Sequence, residues 1–178
     1  HVTGVQTCDL PISESLRAVD QFSLGAWVRP GALDGWQPVF ALASDAAGEA
    51  GVGLGLRASG PVVRVRQGGV TREFGAESAM ALNTWFHLGV SFDAGAGVIF
   101  VNGFEMGRFN TGSSAALDLP ASLEGWIGHD GRASFSGLID EVVYSLRALD
   151  GSSLAMLAAM RDDAPEDTGF GCAESALL

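Results

Sequence analysis

Apolar and polar positions alternate with a period of two through most of the chain. Phe22, Leu24, Ala26 and Val28 are separated by Ser23, Gly25 and Trp27. That period sends successive side chains to opposite faces of a strand, so the run predicts a half-buried strand ended by Pro30-Gly31, with Trp27 facing away from the aliphatic row. Similar short runs follow at VFALAS (39–44), GVGLGLR (51–57), PVVRVR (61–66) and VTREF (70–74). In the second of these Val52, Leu54 and Leu56 share one face and glycines the other, an arrangement that permits close approach by another backbone. In the third, Val63 and Val65 point inward and Arg64 and Arg66 to water. Phe86, Leu88, Val90 and Phe92 alternate with His87, Gly89 and Ser91. A Gly-rich turn over 93–97 and the apolar run 98–101 come next. Asn102-Gly103 is the dipeptide favoured by a type I′ hairpin, whose central residues both need positive φ. The stretch 85–107 therefore predicts a three-stranded meander. LEGWIG (123–128) and residues 134–146 bring the total to nine or ten strands.

Short antiparallel strands with a turn every 8 to 12 residues predict an all-β, antiparallel β-sandwich of the jelly-roll kind. Helical spacing occurs once, at Leu154, Leu157 and Met160 behind Asp150 or Ser152 as N-cap, and predicts one short C-terminal helix lying against the sandwich. No internal repeat points to a solenoid or propeller.

Charge removes some classes of partner. The chain has ten basic residues, all arginine, against 21 acidic ones, a formal net charge of −11. Phosphate recognition needs a basic footprint, so neither nucleic acid nor an anionic membrane surface is an expected partner. Every apolar run is broken by Gly, Arg or Asp well before the ~20 residues of a membrane span. About 150 residues make one domain with a sizeable core. The absence of lysine beside abundant Ala, Gly and Arg suggests a GC-rich coding sequence.

Several segments carry a family resemblance. Trp85 opening a strand that ends in Phe92-Asp93, then IFVNG (99–103), then FSGLIDEVVYSLRAL (135–149) followed by a short helix, together with FSLGAWVRP (22–30), resemble laminin-G-like, concanavalin A-like jelly-roll domains of secreted bacterial and animal proteins. The resemblance covers most of residues 13–160, in the expected order, and contains no catalytic signature. It implies an extracellular location.

The two ends read differently. VTGVQTC (2–8) and LPI (10–12) resemble the in-frame translation of a sequencing-library adapter, with Asp9 as a mismatch, so residues 1–12 are set aside from functional argument. The resemblance implies a further strand before 22–30, pairing beside 134–146, and residues 1–12 have neither the length nor the alternation for it. That edge is expected to be unpaired, and residues 1–12 irregular or weakly paired. Residues 161–178 hold five acids and one arginine with Pro165 and Gly169, the composition of an acidic linker, and the chain is expected to be a fragment of a larger protein. Cys8 lies in the adapter-like stretch and Cys172 in the tail, so no disulfide between them is expected.

Chemistry-bearing residues are few. A jelly-roll glycoside hydrolase needs two carboxylates on one strand face. The nearest pair, Asp140 and Glu141, is adjacent, and alternation would send the two apart. No Ser, His and acid set has the spacing of a triad, and His87 sits where the resemblance implies a structural histidine. Asp140 is placed among Leu138, Val142 and Tyr144 on one face, where a carboxylate needs a partner or a cation. The resemblance implies a structural Ca²⁺ near this position, with a hydrogen-bonded structural Asp as the alternative. Trp36 and Trp126 offer flat faces to a sugar ring, and the loop His129-Asp130-Gly131-Arg132 offers polar groups. Core or rim packing is the competing reading for both tryptophans, and Trp27 and Trp85 read as core. The reading that follows is a non-catalytic recognition module binding a glycan or an extracellular protein through Trp36, Trp126, His129, Asp130 and Arg132. An architectural spacer and a hydrolase of the same fold are the alternatives.

Overall fold

The computed structural model describes residues 10–11, 20–43, 50–119 and 124–160, which form two antiparallel sheets and one helix. The strands are β1 (Leu10–Pro11), β2 (Gln21–Pro30), β3 (Gln37–Ala43), β4 (Ala50–Arg57), β5 (Gly60–Gln67) and β6 (Val70–Gly75). They continue as β7 (Phe86–Asp93), β8 (Ala96–Val101), β9 (Phe104–Asn110), β10 (Glu124–Ile127) and β11 (Gly137–Ser145), followed by helix α1 (Gly151–Ala159). The first sheet runs β1-β10-β3-β4-β5-β6 and the second β11-β2-β7-β8-β9. This is the sandwich that the alternation predicts.

The inner rows are the predicted ones. Phe22, Leu24, Ala26 and Val28 stand opposite Phe92, Val90, Leu88 and Phe86, while Val52 and Leu54 of the other sheet stand opposite Val65 and Val63. All of these except Phe86 are within 1 % of full burial. Burying each such side chain is worth about 1.5–3 kcal/mol, and the row as a whole holds the layers together. Aromatic pairs tie one sheet to the other: Phe74 of β6 stacks on Phe109 of β9 at 4.5 Å, and Phe40 of β3 on Tyr144 of β11 at 5.5 Å. At the meander turn Asn102 (φ 51°) and Gly103 (φ 80°) both have positive φ, as a type I′ hairpin demands, and Asn102 Oδ1 accepts the His87 amide at 2.8 Å.

Helix α1 covers the outer face of the second sheet. Asp150 caps it by accepting from the Ser153 amide at 2.8 Å, which resolves the choice of N-cap. Leu154 is fully buried, and Leu157 reaches over Gly25. Met160 is the C-cap and stays exposed, so it is not part of the packed face.

The alternation fails in one place. Between Asp140 and Val143 the pairing of β11 with β2 shifts, and Glu141 has φ 48°. A bulge inserts an extra residue and turns the following side chains over. Asp140 therefore does not share one apolar face with Val142 and Tyr144: it is exposed, Leu138 is exposed too, and Asp140 Oδ1 accepts from the Glu141 amide at 2.9 Å. The expectation that strand alternation separates Asp140 from Glu141 does not apply across this bulge.

Among the described residues β11 is the last strand of its sheet, while Leu10–Pro11 pairs with β10 in the other sheet. The rest of residues 1–12, the tail 161–178, Cys8 and Cys172 lie outside the described residues. No helix among the described residues is long and apolar enough to cross a membrane.

Candidate functional site

The outer face of the first sheet gathers most of the residues singled out above. Register places Trp126 opposite Ala41, Ala41 opposite Gly53, Gly53 opposite Arg64, and Arg64 opposite Glu73. Since the neighbours Val52, Leu54, Val63 and Val65 point inward, this cross-strand row points outward. It carries an indole at one end, an ion pair at the other and small residues between.

The small residues decide what can lie on the sheet. A Cβ on Gly55 would fall 2.6 Å from Trp36 Cη2 and 2.5 Å from the Gln37 carbonyl oxygen. Glycine there lets the Trp36 ring rest directly on β4. The close approach predicted for the glycine row is thus made by a side chain as well as by backbone.

Trp36 is held from two further sides. Its Nε1 donates to Asp130 Oδ2 at 2.7 Å, and the Arg64 guanidinium lies 3.8 Å from its ring centre. The second contact is a cation–π stack, in which the positive guanidinium sits on the negative ring face. Arg57 is more distant, at 5.7 Å.

Asp130 acts as the clasp. Its Oδ2 takes Trp36 and also Arg64 Nη1 at 3.3 Å, and its Oδ1 accepts the amides of Arg132 at 3.0 Å and Ala133 at 2.8 Å. It is 5 % exposed, and these bonds are what permit a carboxylate to be buried there. Asp130 is therefore engaged on both carboxylate oxygens in holding these groups together.

The remaining charges are also paired. Arg64 reaches Glu73 Oε1 through Nε at 2.7 Å and Nη2 at 2.6 Å, while Arg57 Nη2 meets both Glu73 oxygens at 3.0–3.1 Å. Burial works against ionisation of Glu73, but the hydrogen bonds and charges of Arg64 and then Arg57 outweigh it and hold its carboxyl below the usual range.

Trp126 and His129 form the second half of the site. Their rings lie 5.5 Å apart, and His129 Nδ1 accepts the Gly131 amide at 2.6 Å. Both side chains are half-buried, so each keeps a surface toward water, and Arg132 is exposed in the same loop.

Trp36, Trp126, His129, Asp130 and Arg132 are thus brought together, whereas Asp140 lies apart on β11 of the other sheet. Arg64, Arg57 and Glu73 belong to the site and were not singled out from the sequence. The available signal was the outward arginine of PVVRVR beside the glycine row of GVGLGLR. Trp27 packs against His87, their ring centres 5.5 Å apart, on the helix-covered face.

No group of three or more His, Cys, Asp or Glu among the described residues could hold a metal ion.

Residues 3–155 match a laminin-G family model described as the concanavalin A-like lectin/glucanases superfamily. No curated protein sequence matches the chain. Among solved structures it is similar to domain 4 of AbnA, an extracellular GH43 arabinanase of Geobacillus stearothermophilus in complex with arabinotriose. That likeness has 22 % identity, covers 81 % of this chain and 69 % of that one, and gives a TM-score of 0.62. It is also similar to the CBM40 of a Ruminococcus gnavus sialidase bound to α2,3-sialyllactose, at 13 % identity over 81 % of this chain and 85 % of that one, TM-score 0.69. A third likeness is to a SAP-like pentraxin of Limulus polyphemus, at 15 % identity over 80 % and 71 %, TM-score 0.64. At these identities the likenesses establish the fold.

Proposed function

The chain belongs to the concanavalin A-like lectin/glucanase superfamily, and from that premise we propose that it is a non-catalytic glycan-recognition module, working outside the cell as part of a larger protein. Its binding surface in this reading is the outer face of the first sheet. The observation that carries the reading is the pair of half-buried rings Trp126 and His129 on the outward face, with the 129–132 loop anchored through Asp130 to the Trp36 indole that Arg64 covers. A sugar ring has an apolar C–H face that packs on an indole and hydroxyls that exchange hydrogen bonds with a polar rim. That similar domains are seen with arabinotriose and with sialyllactose supports it.

The carboxylates of this face are poorly suited to hydrolysis, which supports the non-catalytic part of the reading. Glycoside hydrolysis needs one carboxyl able to donate a proton and a second free to attack or to activate water. Asp130 is bonded on both oxygens, and Glu73 is held ionised between two arginines. A structural Ca²⁺ at Asp140 is a separate proposal. It would raise the melting temperature of the wild type and not of Asp140→Ala.

Calorimetric titration with arabino-oligosaccharides and sialyllactose, extended to a glycan array, tests the main reading. Binding to at least one of these glycans is expected, and Trp126→Ala should weaken it at least about tenfold, the scale of one lost ring contact. Unchanged affinity in both Trp126→Ala and Trp36→Ala would move the site elsewhere, and release of shortened sugars would make the protein an enzyme. A chain that binds no glycan on the array is left with the spacer role.

A further inference from the structure

We infer that the glycan taken by this face is neutral, rather than one carrying carboxylate or sulfate groups. The inference rests on the reading just given and narrows it. Arg57, Arg64 and Arg66 project from the outer face of β4 and β5, in a chain whose ten cations face 21 acids. Such a strip could be taken as a seat for an acidic sugar. The bonding says otherwise.

Arg64 spends Nε and Nη2 on Glu73 and Nη1 on Asp130, and lays its plane on Trp36. Arg57 turns Nη2 to both Glu73 oxygens. Arg66 Nε stands 4.0 Å from Asp118 Oδ2, and that same oxygen accepts the Gly69 amide. Three guanidinium groups thus face the three carboxylates Glu73, Asp130 and Asp118, and their charges cancel. Arg132 in the adjoining loop is engaged as well.

Among the described residues of this face, each guanidinium a carboxylated sugar would meet is already engaged. Such a sugar would have to take a guanidinium from the exposed Glu73 or the buried Asp130, exchanging like for like and leaving that carboxylate without its partner. It would also approach a chain of net charge −11, whose field repels anions. Neither obstacle confronts a neutral sugar.

His129 supplies the matching donor. With Nδ1 accepting the Gly131 amide at 2.6 Å, the proton of the neutral ring sits on Nε2, where it can be given to a hydroxyl beside the Trp126 ring. The face therefore offers indole surface, one imidazole N–H and the exposed, already-paired Glu73 carboxylate, whose remaining lone pairs accept from hydroxyls.

An array of matched oligosaccharides, galactan against galacturonan of equal length and unsulfated against sulfated counterparts, decides the matter. Neutral members should bind at least about tenfold tighter than their acidic partners, and with little change between about 0.05 and 0.5 M salt. Acidic members binding equally or better, or an affinity rising steeply as salt is lowered, would overturn the inference. If that acidic binding were abolished by Trp126→Ala, the recognition reading would stand and only its ligand class would fall. Binding of neither class would remove both. Glu73→Gln adds an internal check: it removes the charge that pairs Arg57 and two of the three bonded nitrogens of Arg64, so the neutral-to-acidic affinity ratio should drop about tenfold, the worth of one charge-assisted hydrogen bond. An unchanged ratio would show that the pairing does not set the preference.

Discussion

The two sheets treat their outer faces in opposite ways with the same local device. On the second sheet Gly25 and Gly89 let His87, Leu157 and Leu154 come within contact of the strands, and α1 closes over them. On the first sheet Gly51 lies under Asp118 and Leu119, and Gly55 under Trp36. Glycine on the outward row removes the Cβ layer in both cases, so a second layer can settle directly on the backbone. What settles differs. An apolar helix makes the part of the second sheet's outside that it covers into a small additional core. Charged and aromatic side chains, bonded to one another, make the first sheet's outside into a fixed but still wetted surface. The face proposed for binding is the one whose second layer keeps a polar side toward water.

That contrast is most exposed to test at the helix. Leu154 is fully buried between α1 and the sheet, so Leu154→Ala removes its transfer energy and leaves a cavity. A loss of about 2–4 kcal/mol is expected in urea denaturation, with glycan binding on the opposite face retained in the protein that remains folded. A loss under about 1 kcal/mol would mean that α1 is a surface ornament and that the two faces are alike.

His87 gives the next effect in size, and one that depends on pH. Burial pushes its imidazole from the ordinary 6.5 down to about 4, and its Nδ1 has no hydrogen-bond partner among the described residues. Above pH 6.5 both folded and unfolded chains carry the neutral ring, so the group adds no slope. As the pH falls from 6.5 toward 4 only the unfolded chain takes up the proton, and stability drops; below that both states are charged and the slope levels off. The drop should be about 2 kcal/mol, allowing for partial screening, and His87→Gln should flatten that leg of the curve. Equal slopes in the two proteins would show that the helix-covered face is wetter than its geometry indicates.

The inner rows were legible in the sequence because apolar side chains on one face of a strand recur every second residue, as Phe22, Leu24, Ala26 and Val28 do, although the outer face is also covered at Ser23 and Gly25. The Asn102-Gly103 turn was legible because few dipeptides tolerate its backbone. The face of Asp140 was not, since a bulge leaves no mark on the hydrophobic pattern until its pairing partner β2 is known. For the candidate site, the loop 129–132 and both tryptophans could be picked out as exposed chemistry near turns. Their assembly could not: the Trp36 to Asp130 bond spans 94 residues, and Arg64 reads simply as a solvated strand position until Gly55 and Trp36 are seen beneath it. Local pattern reports which way a side chain points and is silent on what it meets.

Two alanine substitutions on one strand probe the smallest and most specific part of the contrast. Gly53 and Gly55 both lie on the outward row of β4, both are buried, and strand propensity alone would treat them alike. Their surroundings are not alike. A Cβ on Gly55 would sit 2.6 Å from Trp36 Cη2 and 2.5 Å from a backbone oxygen that has nowhere to go, so Gly55→Ala must push the indole off the sheet and strain its bond to Asp130. Overpacking of this kind costs about 1–2 kcal/mol, and the displaced ring should report through its fluorescence and through weakened glycan binding. A Cβ on Gly53 would meet Arg64 Cβ at 3.5 Å and Cδ at 3.8 Å, ordinary contacts that also suit the strand. Gly53→Ala should then change stability by less than about 0.5 kcal/mol and leave tryptophan emission as it was. If the two variants behave the same, the glycine row is a matter of strand geometry. If only Gly55 is sensitive, its glycine is there to seat Trp36, and the face around that ring is built for contact.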